Sequence, residues 1–422
     1  MDFQQGQSGS AKRVYRTLAR RARNVARLAG AALDQRHEWG WHGVVARAAR
    51  RRPIAPISSE PVPAAGTRFN VIYAIGYWPG EPKRYRVLNM VEGLRAAGYT
   101  AHVIPFDRIA QICRWRWTAS VLVLFRAEYD RLAGITEVLA YARAAGMAVV
   151  YDIDDLLFDN SLVGRIDGLR RMGGFGRRRF IAAITGNRRL LLACDRATVS
   201  TAPLARAVEA LGKPATVVPN GLNAEQLRVG EEIASRPRVA DGLVRIGYFS
   251  GSRTHQRDFA ECEAALLDAL QDHPNARFRL VGYLELGPAW RRYDDRIERI
   301  ALLPPAQLLR SIAETDINIA PLELGNPFCE AKSELKFFEA ALVGVPTVAS
   351  ATEPFIAAIE NGVSGFIACN SGEWRSALDA LISSPERRVV MGAAARARAL
   401  ERHAPTVITS RLVAALGLPP RS

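Results

Sequence analysis

From residue 69 onward, short apolar runs alternate with longer stretches whose apolar positions recur at helical spacing. FNVIYAI (69–75) reads as a strand, followed by a glycine-containing loop (76–84) and a helix over YRVLNMVEGLRAAGY (85–99). AHVIPF (101–106), SVLVLFR (120–126) and MAVVYDID (147–154) read as further strands, the last preceded by a helix ending at Ala145 and Gly146. A helix over 187–194, the strand ATVST (197–201), a helix over 203–211 and the strand TVVPNG (216–221) complete a first unit. The rhythm restarts at Val244 with a strand and a helix to His273, then strands over 276–283 and 297–303 and a helix over 305–316. The stretch 316–350 follows, then a helix over 355–362, a strand over 365–368 and helices over 374–383 and 385–403. Such alternation predicts an α/β protein of two facing, Rossmann-like, doubly wound domains with a cleft between them. The predicted divisions are 67–240 and 241–402, with 403–422 as a C-terminal helix for which a return to the first domain is one course.

The stretch 316–350, DINIAPLELGNPFCEAKSELKFFEAALVGVPTVAS, organises the second unit. It predicts a strand over 317–321, a loop with Gly325, Asn326 and Pro327, and a helix from Lys332 and Ser333 to Val343. Gly344 ends that helix, and a second strand runs over 347–349. This is the parallel βαβ pattern, and the loop lies at the carboxyl end of a strand and at a helix N-terminus. Open α/β sheets bind anionic ligands at such places. Lys332, Ser333 and Lys336 supply donors suited to diphosphate oxygens, while Glu334 and Glu339 supply acceptors suited to sugar hydroxyls, so the stretch reads as a nucleotide-sugar site.

A second glycine loop, 250–257, follows the first strand of the second unit. Gly251 admits a close backbone approach, and Ser252, Arg253, Thr254, His255 and Arg257 surround it with donors aimed at the same place. In the first unit, Asp152, Asp154 and Asp155 close a strand. Their spacing suits oxygen ligation of magnesium or manganese, and Asp154 or Asp155 equally suits a helix cap. Arg126 at the end of one strand, and Tyr85 with Arg86 at the start of the first long helix, occupy positions that face the cleft.

The run AKSELKFFEAALVGVPTVAS (331–350) resembles the donor-site helix of retaining GT-B glycosyltransferases of the group 1 (family 4) lineage, in a K-S-x-x-K form. VVPNG (217–221) matches the stretch that closes the first domain of such enzymes. The resemblance covers roughly residues 70–402, is strongest over 244–350 and leaves out the N-terminal arm. It implies transfer of a sugar, with retention, from a nucleotide-diphosphate donor to a glycan or lipid-linked glycan acceptor in cell-surface polysaccharide synthesis. It further implies that basic residues and helix dipoles stabilise the leaving diphosphate, with no metal and no cofactor. Glu339 corresponds to the family glutamate that grips the ribose, whereas the first glutamate of the pair falls on Ala331. The candidate catalytic residues are Asp154 and Asp155 on the acceptor hydroxyl, with His255 and Lys332. Those for substrate binding are Gly251, Ser252, Arg253, Thr254, Asn326, Ser333, Lys336, Glu339, Arg126 and Arg86. An epimerase on the same fold, or a non-catalytic scaffold, are the rival readings.

Composition adds limits. Hydrophobic residues at 49% and charged residues at 23% of 422 are ordinary globular values, and five scattered cysteines without C-x-x-C spacing fit a reducing cytoplasm. The net charge of +15 is concentrated in residues 1–66, where twelve Lys or Arg face four Asp or Glu. Residues 11–52 form a basic helical segment with Trp39 and Trp41, and 53–63 is a proline-rich linker. An anchor on an anionic membrane surface, at the inner face of the membrane, fits this arm, as does a solvated tail or a helix packed on the body. No nucleic-acid recognition module accompanies the charge. No apolar run reaches membrane-spanning length, and no secretory signal is visible.

Overall fold

The computed structural model describes residues 62–76, 83–129, 134–170, 172–236, 241–251 and 255–421. The basic segment 11–52 lies outside them. Two six-stranded sheets, parallel throughout, carry the architecture. The first contains β1 (Arg68–Ile75), β2 (Ala101–Pro105), β3 (Thr118–Phe125), β4 (Ala148–Ile153), β5 (Arg196–Val199) and β6 (Ala215–Val217), in the order 2-1-3-4-5-6. The second contains β7 (Val244–Ser250), β8 (Ala276–Gly282), β9 (Ile297–Ile300), β10 (Ile317–Ala320), β11 (Thr347–Ser350) and β12 (Phe366–Ala368), in the order 12-11-10-7-8-9. Numbered within its own domain, the second sheet runs 3-2-1-4-5-6, the dinucleotide-binding order, whereas the first follows the flavodoxin-like 2-1-3 pattern. In sheets of both orders, ligands bind beyond the carboxyl ends of the strands.

Strands this apolar must be covered on both faces, and Val121, Leu122, Val123 and Leu124 of β3 are accordingly all buried. The C-terminal helix Pro405–Leu416 leaves the second domain and packs on the first, where Ile408, Leu412 and Leu416 join the core around Val71, Val87 and Leu94. At that crossing, the His403 carbonyl accepts from the Leu222 amide (2.9 Å) and His403 Nδ1 lies 2.9 Å from the Asn220 carbonyl. The VVPNG stretch is therefore the joint on which the domains meet.

Two predicted elements differ from those observed. The helix expected over 187–194 is twenty residues long, Gly174–Ala193, and begins in the arginine-rich GFGRRR stretch. The helix expected from Lys332 instead runs Leu335–Leu342, behind a separate short helix, Pro327–Glu330. The link between them is held out of helical form by the first domain. Thr201 Oγ1 donates to the Ala331 carbonyl (2.9 Å), and Asn220 Nδ2 donates to Ser333 Oγ (2.9 Å).

Candidate active site

The site is built where β10 ends and the chain crosses the seam. Phe337, Phe338, Ala340, Ala341 and Leu342 bury the helix Leu335–Leu342 in the second domain, so the polar residues Lys332, Ser333, Lys336 and Glu339 fall on its opening link and first turns. Lys336 Nζ is buried with no hydrogen-bond partner among the described residues, 4.4 Å from the centroid of the Tyr248 ring. Burial, reinforced by the neighbouring Lys332 ammonium, pushes its pKa down to about 8 against the pull of Asp258. A buried cation without a hydrogen-bonded partner is costly, and a bound anion would lower that cost.

Lys332 is held differently. Its Nζ lies 3.3 Å from Asp258 Oδ2 and 5.4 Å from the Phe328 ring centroid. Burial opposes its charge, but Asp258, Cys329 and Asp155 outweigh it and raise the pKa. His255 sits just before the helix Gln256–Asp272, with Nδ1 2.8 Å from Asp258 Oδ2. Burial and Lys332 bring its pKa down to about 4, so at neutral pH it is an uncharged imidazole donating to a carboxylate. Asp258, the group both residues share, lies three residues beyond His255 on that helix; the sequence reading passed over it, although the H-x-x-D spacing was there to be seen.

Glu339 is 8% exposed and accepts a short hydrogen bond from the hydroxyl of Tyr85, across the seam from the first domain. Gln226 Nε2 donates to the same hydroxyl at 3.2 Å. The carboxylate that the resemblance assigns to ribose is thus already engaged by one hydroxyl. Ala331, where the family's first glutamate would fall, is 1% exposed and packs into the first domain's core. A glutamate there would have to enter that packing, which is the physical reason this chain departs from the family pattern.

On the first domain, Arg126 ends β3 with φ +41, a strained conformation for a residue other than glycine. Its Nε bonds Asp154 Oδ1 and its Nη2 bonds Asp155 Oδ2, both at 2.5 Å. Burial raises the pKa of Asp155 against the opposing pull of Arg126. Gly76 makes this close approach feasible, since a Cβ there would lie 1.9 Å from the Arg126 carbonyl oxygen. Asp155 and Arg126 line a cavity of about 170 Å³ that straddles the seam and is also lined by Asp258 and Lys332.

One expected contact is corrected. Arg86 is 0% exposed and clasps Asp152 with two hydrogen bonds, of 3.0 and 2.6 Å, while its Nη1 donates to the Val218 carbonyl. Thr198 also donates to Asp152, so this pair is an internal brace and does not face the cleft. Asn326 caps the short helix and donates to the Arg165 carbonyl (3.0 Å) and to Glu323 Oε2 (2.8 Å). Its amide is spent on tying the domains together, and its side chain also lines the cavity between them. Ser333 likewise accepts from Asn220. Gly251 closes β7 with open space around its Cβ position. Ser252, Arg253 and Thr254 lie outside the described residues.

Solved structures with the same two-domain arrangement align along nearly their whole length. HepE from Anabaena, solved with UDP and glucose, aligns at 15% identity over 83% of this chain and 99% of its own, with a TM-score of 0.55. A glycosyltransferase from Rickettsia africae aligns at 11% identity over 83% and 98%, with a TM-score of 0.54. Sucrose-phosphate synthase from Thermosynechococcus elongatus aligns at 14% identity over 81% and 97%, with a TM-score of 0.53. The fold is that of the GT-B glycosyltransferases. Within this GT-B chain, residues 254–414 match the family described as glycosyl transferase-like. That match contains His255, Asp258, Lys332, Lys336 and Glu339. No curated protein matches the chain by sequence. Among the described residues, no helix is long and apolar enough to cross a membrane.

Proposed function

We propose that this GT-B protein is a glycosyltransferase moving a sugar from a nucleoside-diphosphate donor to a glycan or lipid-linked glycan acceptor, with retention, in cell-surface polysaccharide synthesis. The observation that carries the donor half is Lys336, a buried ammonium with no hydrogen-bond partner among the described residues, at the strand-end position where α/β sheets take phosphates. A diphosphate there supplies the missing counter-charge. As the glycosidic bond breaks, negative charge grows on the leaving diphosphate, and fixed cations stabilise that change without rearranging. Lys336 and Lys332 fill this role, and Glu339 exchanges its Tyr85 hydroxyl for those of the ribose. HepE, solved with UDP and glucose in the same fold, supports a uridine nucleotide as the first probe.

The acceptor half rests on the cavity. Its lining mixes an apolar patch of Leu157, Ile166, Leu169, Met172 and Phe180 with charged groups from both domains, Arg126 and Asp155 on one side and Asp258 and Lys332 on the other. An acceptor combining a hydrocarbon part with a polar reacting end matches this mixed lining. The basic segment 11–52 supports presentation of such an acceptor at an anionic membrane surface. Asp154 and Asp155 orient the acceptor hydroxyl through Arg126, and because both carboxylates are engaged by that guanidinium, transfer should survive EDTA.

The test is incubation of the purified protein with radiolabelled nucleotide sugars and membrane extract. Transfer of label to a lipid-extractable or polymeric product, unchanged by EDTA, is expected. Inversion of free donor at C2 would instead make it an epimerase, and donor binding without turnover would make it a scaffold.

A further inference from the structure

Asp258 is 2% exposed, and four donors from separate parts of the second domain converge on its carboxylate. Oδ1 accepts from the Glu323 amide (3.1 Å) and the Cys329 thiol (3.2 Å). Oδ2 accepts from His255 Nδ1 (2.8 Å) and Lys332 Nζ (3.3 Å). An acid in a helix's first turn usually serves its own helix dipole or cap. Here both oxygens are instead spent on the loop before the helix and on the chain after β10. One carboxylate therefore sets two groups at once. It fixes the ammonium of Lys332 on the wall of the cavity, and it fixes the neutral imidazole of His255 with its proton on Nδ1. His255 Nε2, for which no partner is found among the described residues, is left as a hydrogen-bond acceptor.

We propose that Asp258 is a positioning residue for glycosyl transfer, holding Lys332 as a cation on the wall of the cavity and His255 beside it as a neutral acceptor. The proposal rests on the nucleotide-sugar reading above. It assigns the two groups different duties: Lys332 faces the charge of the diphosphate end, and His255 Nε2 accepts from a hydroxyl of the bound sugar.

Asp258→Asn separates this role from bulk and shape. Its carbonyl oxygen stays where the Glu323 amide and the Cys329 thiol donate, so its NH2 takes the place of Oδ2. That NH2 donates to His255 Nδ1, which moves the imidazole proton to Nε2 and turns an acceptor into a donor. Lys332 loses its counter-charge, leaving Asp155 as the other carboxylate acting on it. In histidine-labelled protein, with His255→Gln assigning the signal, 15N NMR should read a change from the Nδ1–H to the Nε2–H tautomer. With UDP-glucose and UDP-N-acetylglucosamine as probe donors, kcat for UDP release should fall about tenfold or more while KM moves less than about threefold. An unchanged tautomer, or a changed tautomer with wild-type kcat, overturns the proposal. Wild-type protein that neither binds nor turns over any UDP-sugar overturns the donor reading itself, and the proposal with it. Should Asp258→Asn not fold, Asp258→Glu replaces it: charge and tautomer are kept, displacement by one methylene should still lower kcat, and full kcat would overturn the proposal.

Discussion

At Lys336 the chain buries an ammonium for which no hydrogen-bond partner is found among the described residues. Lys336→Met keeps the stem and removes the charge, and replacing buried charge by apolar volume commonly gains about 1–4 kcal/mol. We therefore expect the variant to melt at a higher temperature than the wild type while losing affinity for UDP, both read by calorimetry. The sign of the pH dependence follows from the depressed value of about 8 against the ordinary 10.5. The folded protein gives up this proton before the unfolded chain does, so stability should climb as pH rises from about 8 to 10.5, and Lys336→Met should abolish that climb. Glu339 gives the opposite pattern. In Glu339→Gln the amide oxygen still accepts from Tyr85, so the fold should hold, while loss of a charged acceptor for ribose should weaken UDP binding by about 1.5–3 kcal/mol. Lys336 and Glu339 were legible in the sequence because the motif that carries them is local. Asp258 was not singled out, because its importance comes from donors at 323, 329 and 332 that only the fold brings to it.

The elements themselves follow from the apolar pattern wherever a strand is buried on both faces, and the strand β3 is a clear case. The pattern failed where the other domain decides. Residues 331–334 have helical composition, yet with Thr201 and Asn220 bonded to them they form a non-helical turn between two helices. Arg86 failed for a related reason. An arginine at a helix start near a cleft is equally able to turn inward, and the Asp152 carboxylate with the Val218 carbonyl drew it there. At the ends of β1 and β3, Gly76 and the strained Arg126 backbone form one unit. Gly76→Ala places a methyl 1.9 Å from the Arg126 carbonyl oxygen, inside any tolerable contact. Relieving that clash should cost about 1–3 kcal/mol in urea unfolding. It should also shift Arg126 away from Asp154 and Asp155, so turnover should fall further than stability alone explains.

At the scale of the whole molecule, the GT-B arrangement makes the seam both the joint and the site. Glu334 and His403 mark the joint, with Oε1 3.4 Å from Nε2 and the His403 ring stacked on Phe338. Burial raises the Glu334 carboxyl to about 7 and lowers His403 to about 4, so near neutral pH the two are held with little charge between them. A carboxyl raised above its unfolded value holds its proton better in the folded state, so its contribution is full at low pH and fades as pH rises through about 7. Glu334→Gln removes this contribution, so the variant's melting temperature relative to wild type should climb between about pH 5 and 7.

The donor claim is tested most directly by the proton that binding should carry. If a diphosphate becomes the counter-ion of Lys336, its ammonium is restored on binding, so at pH 8.5 UDP should bind with uptake of up to about three quarters of a proton. Titration calorimetry in buffers of different ionisation enthalpy reads this number. The account predicts uptake by the wild type, and a clear drop in it for Lys336→Met. UDP that binds the wild-type protein at pH 8.5 with no proton uptake, or binds Lys336→Met as tightly as wild type, would contradict it.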